Sequence, residues 1–382
     1  MDDGAGTVQA LTTFSAIRPE RLSELRRRLA LIRYTPGLGR PLLDLGFIHY
    51  ARWGIVDALP VPGGGWRGLR SKYLLFQGIY DGAERDYLDV FSEVIPSRIA
   101  AVWSACAGFE EHVERVPAAR GRVIAPAAFR EFVERNKLDG IAMYTAYGAT
   151  ANAVRQAILM DDRLQEIHTF PTRDEAYHRR LRTIGSMAID PLPDRGSLRD
   201  RIDAVYEPWK RAVRGRYGVN PLTLAIPLKE GTALEQGLQR DPAMRWLRHT
   251  DAHYARVCRL PEVLGNAAKR TDRTNTPWLL FTSDYFGARQ VYAERLRRRV
   301  RAAEELLTQS IDGFPGTANP ARFYSWIDDH ALPTDYYVAG YPPRSVAAIE
   351  DLIKRRSELA DKYASRRYLS GPEIVTELEG SA

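Results

Sequence analysis

The chain has 382 residues, a formal net charge of +7 and an apolar content of 45%. This length suits two domains or a fused repeat, and the apolar content is enough for a complete hydrophobic core. No apolar run reaches the length of a membrane-spanning helix, about 20 residues. The N-terminus, MDDGAGTVQA, lacks the pattern of a secretory signal, and the two cysteines have no metal-ligand spacing. We therefore expect a reduced, cytoplasmic protein without a membrane span.

The basic excess, 55 Lys and Arg against 48 Asp and Glu, occurs in short arginine-rich clusters. Arg26–Arg28 and Arg297–Arg299 both lie in amphipathic helical patterns with acidic neighbours. Such clusters are typical of solvated helix faces, whereas a nucleic-acid surface needs a continuous basic stripe or a known motif. We expect the two clusters to be exposed on separate helices, and we do not expect nucleic acid as a partner.

Three blocks of the sequence occur twice in the same order, which indicates an internal duplication. The matching pairs are HYAR at His49 and His253, YLLFQGIYDGAERDYL at Tyr73 with WLLFTSDYFGARQVYA at Trp278, and FREFVERNKLDGIAMYTAYGAT at Phe129 with FYSWIDDHALPTDYYVAGYPPR at Phe323. We place repeat 1 at residues 8–166 and repeat 2 at residues 219–364. Residues 167–218 are predicted to be a connector with a helix around Leu198–Val213, and residues 365–382 a C-terminal tail.

Each repeat is predicted to run strand, helix, strand, strand, helix, short helix, strand and helix. The helices are indicated by apolar residues three or four apart and by Pro19 and Pro96 at helix boundaries. The strands are indicated by β-branched and aromatic runs between turn residues. In repeat 1 the predicted strands are Leu11–Ile17, Gly46–Asp57, Lys72–Tyr80 and Ile141–Tyr147.

This order is that of a ferredoxin-like unit with additions at its end. A ferredoxin-like sheet carries helices on one face only, so its other face needs a cover. Two copies in one chain can cover each other by packing their open faces together. The sequence therefore predicts an α+β fold in which two tandem ferredoxin-like repeats form an intrachain pseudo-dimeric α+β barrel.

The predicted arrangement resembles the dimeric α+β barrel superfamily, fused in tandem. HYARW, LLFQGIYDG and WSACAGF in repeat 1 are similar to a bacterial group with a His–aromatic–Ala–Arg strand. The superfamily includes chlorite dismutase-like and dye-decolorising peroxidase-like haem proteins, and also cofactor-free monooxygenases. The resemblance implies an oxidative enzyme for small molecules, with haem or with no cofactor, whose pocket lies between the repeats. Fold alone does not fix the chemistry.

The segment GIYDG, Gly78–Gly82, matches the short GxxDG pattern that holds an acid–base aspartate in dye-decolorising peroxidases. Repeat 2 has Phe286 at the position of Asp81. An Asp-Gly pair after a strand is also an ordinary turn signal. We therefore interpret Asp81 as a turn residue.

The duplicated HYAR strand supplies the candidate catalytic residues, His49 and Arg52 in repeat 1 and His253 and Arg256 in repeat 2. Alternation along a strand predicts that the histidine and the arginine of each pair point to opposite faces. A buried arginine needs a carboxylate or several carbonyl groups as partners. The arginines are either architectural, tying their strands to neighbouring elements, or catalytic, stabilising negative charge on a bound molecule.

Positions at which the repeats differ are candidates for a function that one repeat alone carries. His330 stands where repeat 1 has Asn136, and Asp284 stands where repeat 1 has Ile79. A neutral imidazole on a fixed element can be an axial haem ligand, so His330 is the cofactor-binding candidate if haem is bound. The sequence contains no nucleophile-elbow, phosphate-loop or metalloprotease motif.

The residues leave two functional hypotheses open. The first is an oxidative small-molecule enzyme, peroxidase-like or monooxygenase-like, in which the two HYAR pairs form the site. The second is a non-catalytic ligand-binding or interaction protein with an architectural His-Arg strand. Tyrosines near the strand ends favour a small apolar or aromatic partner with one polar group. A third hypothesis, binding of anionic lipid or nucleic acid, requires a continuous basic groove.

Overall fold

The computed structural model describes residues 8–35, 42, 45–61, 64–109, 124–168, 218–231, 233–264, 272–274 and 276–365. This part of the chain combines α-helices with antiparallel β-sheets and belongs to the α+β class, as predicted. The predicted connector and tail lie outside the described residues except at their ends. The helix expected around Leu198–Val213 also lies outside them.

The helices and strands of the predicted order are present in both repeats, with additional elements: a helix at Pro96–Trp103 in repeat 1, and two short strands and the helix Glu304–Ser310 in repeat 2. Repeat 1 forms β1 (Val8–Ile17), α1 (Leu22–Tyr34), β2 (Ile48–Pro60), β3 (Trp66–Asp81), α2 (Glu84–Val94), α3 (Pro96–Trp103), α4 (Pro126–Asn136), β4 (Gly140–Thr145) and α5 (Ala151–His168). Repeat 2 forms β5 (Val219–Pro227), α6 (Leu234–Arg240), β6 (Ala252–Leu260), β7 (Val263–Leu264), β8 (Asp272–Arg273), β9 (Trp278–Phe286), α7 (Arg289–Val300), α8 (Glu304–Ser310), α9 (Pro320–Asp329), β10 (Tyr336–Ala339) and α10 (Val346–Ser365).

Local sequence explains where several helices begin. Helices α3, α4 and α9 each start with a proline, a position at which the missing N–H removes no intrahelical hydrogen bond. The side chain of Asn319 caps α9 by accepting a hydrogen bond from the backbone N–H of Arg322. In α1, Leu25 and Leu29 are one turn apart and both fully buried, so this helix packs through one apolar face.

The two four-stranded sheets exchange their last strands. Sheet A has the strand order β1-β3-β2-β10, and sheet B has the equivalent order β5-β9-β6-β4. Strand β10 of repeat 2 therefore pairs with β2 of repeat 1, and β4 of repeat 1 pairs with β6 of repeat 2. Isolated bridges, Thr13 with Lys137 and Leu224 with Ala331, also connect the segment before each last strand to the first strand of its own repeat. Neither sheet can be completed from one repeat alone.

Three hydrophobic clusters fill the layers. Helices α1–α4 cover the outer face of sheet A, and helices α6–α9 cover the outer face of sheet B. The third cluster lies between the sheets and joins residues such as Phe14 and Leu75 of sheet A to Ala225 and Leu280 of sheet B. Both faces of each sheet are thus buried, which explains why the strands are nearly continuous apolar runs.

The chain forms two compact units that cut across the repeats. Unit 1 comprises residues 1–148 and 219–340 and contains both sheets. Unit 2 comprises residues 149–218 and 341–382, and in its described part α5 packs against α10. An ion pair of 2.8 Å between Arg344 and Asp162 supports this packing.

The two arginine clusters lie on separate helices, as predicted. Arg26–Arg28 belong to α1 and include ion pairs with Glu24 and Asp57, whereas Arg297–Arg299 belong to α7 and include ion pairs with Glu294. Within each cluster one arginine is half-buried and the other two are exposed. None of the described helices combines the length and the apolar character of a membrane span.

Candidate functional site

Polar side chains meet between the two sheets, beside the apolar cluster that fills the rest of that space. Gln77 on β3 donates from Nε2 to Oγ1 of Thr282 on β9 over 2.7 Å, and Arg52 on β2 reaches β5 and β9. All members of this group are buried. We call it the polar interior, and its members are His49, Arg52, Gln77, Thr223, Tyr254, Thr282 and Asp284.

Both histidines of the HYAR motif occupy β-bulges. The pairing of β2 with β3 skips His49, and the pairing of β6 with β9 skips His253. A bulge interrupts the alternation of a strand and re-aims the side chain of the extra residue. The prediction that histidine and arginine point to opposite faces is therefore wrong for repeat 1, because His49 and Arg52 both contact side chains of the other sheet.

Asp81, His49 and Tyr254 form a continuous hydrogen-bonded chain, which we call the relay. Nε2 of His49 lies 2.9 Å from Oδ1 of Asp81 and carries the proton, because an ionised carboxylate only accepts. Nδ1 of His49 accepts from the hydroxyl of Tyr254 on sheet B, also over 2.9 Å. His49 and Tyr254 are fully buried, whereas the side chain of Asp81 is 10% exposed. The relay therefore connects a buried phenol to a carboxylate at the end of β3.

The position of the relay carboxylate is occupied differently in repeat 2. Phe286 occupies the position of Asp81, because Val8 pairs with Asp81 and Val219 pairs with Phe286 in the two sheets. Nδ1 of His253 lies 3.0 Å from the hydroxyl of Tyr147 instead. The residue that binds Nε2 of the imidazole in repeat 1 is thus replaced by a phenylalanine in repeat 2.

Arg52 is satisfied by protein groups. Its Nη2 forms a 2.5 Å ion pair with Oδ1 of Asp284, and the guanidinium donates to the carbonyl oxygens of Leu222 and Ser283. Tyr337 donates a further hydrogen bond of 3.1 Å to Asp284. Burial raises the pKa of Asp284, and the Arg52 charge and the Tyr337 hydroxyl oppose this rise. The prediction of a buried, paired guanidinium is confirmed for Arg52.

Arg256 occupies the equivalent position in repeat 2 but lacks equivalent partners. Its side chain is 7% exposed, and its guanidinium forms no hydrogen bond or ion pair with any residue in the described ranges. Ile79 stands where repeat 2 has Asp284, since both residues pair with the tyrosine of their HYAR strand. The prediction of a paired Arg256 is therefore not met within the described residues.

His330 lies at the C-terminal end of α9, outside the polar interior. Its Nδ1 is 2.8 Å from the carbonyl oxygen of Trp326, one helical turn earlier. Asn136 contacts the carbonyl oxygen of Phe132 over the same distance at the end of α4. Burial lowers the pKa of His330, which keeps the imidazole neutral near pH 7. Both residues therefore form a hydrogen bond with a backbone carbonyl group at the end of a helix.

The imidazole of His330 packs closely against an aromatic side chain. The indole of Trp326 lies 4.6 Å from the imidazole at an angle of 31° and covers one face of it. His330 lines neither the small apolar cavity under sheet A nor the larger cavity described next. Its Nε2 is buried and has no hydrogen-bond partner in the described part of the chain, so the assignment of His330 as an axial haem ligand stays a prediction.

A cavity of about 750 Å³ lies at the other end of β2, β3 and β9 from the relay. Arg67, Arg70 and Arg273 are among the residues lining it, and all three are exposed. The carboxylate of Asp272, also in the lining, accepts from the backbone N–H of Arg70. We call it the arginine cavity. The HYAR residues are not part of its lining, in contrast to the predicted pocket.

Sequence reasoning missed two members of the relay. Asp81 was detectable, because its replacement by Phe286 is a difference between the repeats of the kind that singled out Asp284 and His330. Tyr254 was not detectable, because its partner His49 lies on the other sheet and only the packing of the sheets brings the two together.

Comparison with protein families, with curated proteins and with solved structures gives no match for this sequence. Among the residues that the structure describes, no three His, Cys, Asp or Glu side chains are grouped to hold a metal ion. The function must therefore be argued from the polar interior itself.

Proposed function

We propose that unit 1 is a pseudo-dimeric α+β barrel of two ferredoxin-like repeats. Three observations support this fold: the two sheets have equivalent strand orders, they exchange their last strands, and the segment before each last strand also bridges to the first strand of its own repeat. Such an arrangement encloses a space between the sheets, where barrel proteins of this size place side chains or one small ligand.

We further propose that the protein is a cofactor-independent oxidase of a small hydroquinone or catechol, with the relay as its base. The observation that carries this proposal is the Asp81–His49–Tyr254 chain itself, which links a carboxylate to a buried phenol through one imidazole. A carboxylate that orients an imidazole, which in turn accepts from a hydroxyl, is the arrangement of a general base. The oxidative character follows from the resemblance to dimeric α+β barrel enzymes and from the aromatic surroundings of Tyr254, which include Tyr50 and Tyr147.

In this proposal the relay moves one proton. The substrate hydroxyl gives its proton to Oη of Tyr254 while the tyrosine proton passes to Nδ1 of His49. Asp81 then stabilises the resulting imidazolium through Nε2–H. A hydroquinone anion formed in this way can pass two electrons to dioxygen, so that the products are a quinone and hydrogen peroxide.

The arginines have different parts in this proposal. Arg52 is held by Asp284 and by two carbonyl groups, so it positions sheet A against sheet B. Arg256 carries a buried charge that no described carboxylate compensates, so it is the group suited to stabilise a substrate anion. In repeat 2 a phenylalanine, Phe286, stands at the position of Asp81, so His253 is not assigned a role in proton transfer.

Oxygen uptake with catechol and 1,4-hydroquinone tests this function. We expect turnover with hydrogen peroxide as product, and a decrease of about 100-fold or more in Asp81→Asn and in Tyr254→Phe, since a positioned acid–base group contributes about 10²–10⁴ in rate. The control is His330→Asn, which alters a buried histidine outside the relay and should keep wild-type turnover. Uptake equal to that of the buffer, or wild-type rates in both relay variants, would contradict the proposal.

A second candidate function is ligand binding without catalysis, and the arginine cavity favours it. A cavity of this size holds a small organic molecule, and three exposed arginines at its lining favour an anion. Under this alternative, Arg70→Gln together with Arg273→Gln weakens binding of a negatively charged ligand such as citrate, and the relay variants do not. Binding can be followed by calorimetry.

A further inference from the structure

The arginine cavity is lined by both repeats, within unit 1. The hairpin of β2 and β3 supplies the lining from repeat 1, and β8 with the start of β9 supplies it from repeat 2. Asp272 on β8 joins the two sides. Its Oδ1 accepts from the backbone N–H of Arg70 over 2.8 Å, and its Oδ2 accepts from the backbone N–H of Ser71 and the hydroxyl of Tyr73, each over 2.9 Å. Hydrogen bonds to one buried carboxylate thus fix the two sides to each other.

The guanidinium groups of the cavity have no anionic partner in the described part of the chain. Arg67, Arg70 and Arg273 form no ion pair and no side-chain hydrogen bond with any residue that the structure describes. Asp272 is the one acidic residue among the described lining residues, and its oxygens already accept from the three donors named above. The lining thus carries three positive charges and one negative charge. An anionic ligand would relieve the repulsion between the positive charges.

The least accessible part of the lining is apolar. Leu59 and Trp278 are 3% and 5% exposed, and Val61 and Leu69 are half-buried, whereas the three arginines are exposed. The cavity is therefore amphipathic, with an apolar inner part and guanidinium groups nearer the solvent. An indole ring is also a surface on which a planar ring of a ligand can stack.

A phosphate group matches three guanidinium groups better than a carboxylate does. A guanidinium donates two parallel hydrogen bonds to either group. A phosphate monoester carries up to two charges and three strong acceptor oxygens, so one phosphate can bind more than one arginine. The hydroxyl of Thr276, also in the lining, is a further donor. The volume of about 750 Å³ lies within the range of small-molecule sites, about 300–1,000 Å³, and leaves room for a body larger than the phosphate itself.

We propose that the arginine cavity binds a soluble organic phosphate with an aromatic body. The phosphate lies against Arg67, Arg70 and Arg273, and the aromatic body lies on Leu59 and Trp278. This inference rests on the ligand-binding candidate described above, whose ligand class it names, and it is independent of the oxidase proposal. The relay is not part of the lining, so the site can be tested without turnover.

The probe is 1-naphthyl phosphate, and the comparisons are 1-naphthol and inorganic phosphate, each of which contains one of its two parts. Calorimetry on the full chain at pH 8, where a phosphate monoester is mostly dianionic because its second pKa is about 6, should show saturable binding of the probe. The probe should bind about tenfold or more tighter than either comparison, because only the probe contacts both parts of the lining.

Arg70→Gln together with Arg273→Gln should weaken binding of 1-naphthyl phosphate about tenfold or more. The matched control is Arg27→Gln together with Arg299→Gln, which removes two exposed arginines outside the cavity with the same change of net charge. This control should bind the probe like the wild type. All four substitutions are at exposed positions, so both double variants should keep the melting temperature of the wild type.

The proposal is overturned if the wild type does not bind 1-naphthyl phosphate, if inorganic phosphate binds as tightly, or if the cavity double variant binds the probe unchanged. Binding of citrate without binding of the probe would keep the ligand-binding candidate and overturn its assignment to an organic phosphate. Cosedimentation with vesicles of phosphatidic acid, without binding of the soluble probe, would assign the arginines to a membrane surface and also overturn it. Asp81→Asn and Tyr254→Phe should bind the probe like the wild type, so failure of the oxidase proposal leaves these results unaffected.

Discussion

The ion pair between Arg52 and Asp284 lies entirely inside the polar interior, with both side chains almost completely removed from solvent. Because neither side chain is hydrated, each charge is compensated by the other, and the guanidinium also by the carbonyl oxygens around it. The net stability of such a pair is small, but removal of one partner leaves a buried charge uncompensated. Arg256, at the equivalent position, has no such dependence on a described carboxylate.

Arg52→Met should therefore lower the free energy of unfolding by about 3–5 kcal/mol, because it leaves the Asp284 carboxylate without a counter-charge. Arg256→Met is the matched control and should change it by less than about 1 kcal/mol, the range usual for substitutions that break no paired group. Urea unfolding of both variants measures the difference. Equal losses would show that the two guanidinium groups are equally compensated.

The burial of both arginines was predictable from an arginine inside an apolar strand, and so was the need of Arg52 for a partner. The identity of that partner was not predictable, because Asp284 belongs to the other repeat and meets Arg52 only across the two sheets. The β-bulge at His49 was not predictable either, because no residue type in HYAR indicates that the strand pairing skips a residue there.

In helix α9 a residue that the sequence singled out as a functional candidate, His330, makes a structural contact. Its last turn presents a free carbonyl at Trp326, and His330 satisfies it from one turn away, as Asn136 does for Phe132 in α4. The two repeats thus have different side chains at this position, but both side chains make the same local contact. The helices and strands themselves were predicted well, because apolar periodicity and proline positions report local structure directly.

His330 should make stability depend on pH. Its pKa is lowered in the native state, so as the pH falls below about 6.5 the unfolded chain binds a proton that the native chain does not. The contribution of the neutral imidazole is therefore complete above this pH and is lost as the pH falls through it towards the native pKa.

His330→Asn should remove this dependence while keeping the helix-end contact, and its stability at pH 8 should lie within about 1 kcal/mol of the wild type. The free energy of unfolding of both proteins is measured from pH 8 to pH 5. The wild type should lose more stability than the variant as the pH falls to 5. Parallel curves for the two proteins would contradict this assignment.

For the molecule as a whole, the exchange of last strands is the feature that sequence reasoning did not foresee. The repeats and their elements were visible as recurring blocks, and each block was assumed to complete its own sheet. Which sheet a last strand joins depends instead on a few residues that are far apart in sequence. Strand β10 pairs with β2 through Tyr336 and Trp53, and no local sequence pattern encodes this pairing. The compact units consequently do not follow the repeats.

A chain split within residues 169–217 tests this arrangement. Neither fragment contains all four strands of a sheet, so we expect the two fragments to copurify when coexpressed and to unfold as one complex. Each fragment expressed alone should be insoluble, or should pair with a second copy of itself through its unsatisfied strand edge. A soluble, folded monomer from either fragment alone would show that the exchange is dispensable.

The exchanged strands also have a consequence for biosynthesis. While the ribosome extends the chain, β2 emerges early, but the neighbour that pairs with Trp53 is not made until Tyr336 has been translated. Through nearly all of translation the nascent chain therefore presents an apolar strand with one open edge, the kind of surface that associates with other chains. Contacts so distant in sequence also slow folding. Production of this protein should thus depend on chaperones and on slow, cool expression more than its final stability would suggest.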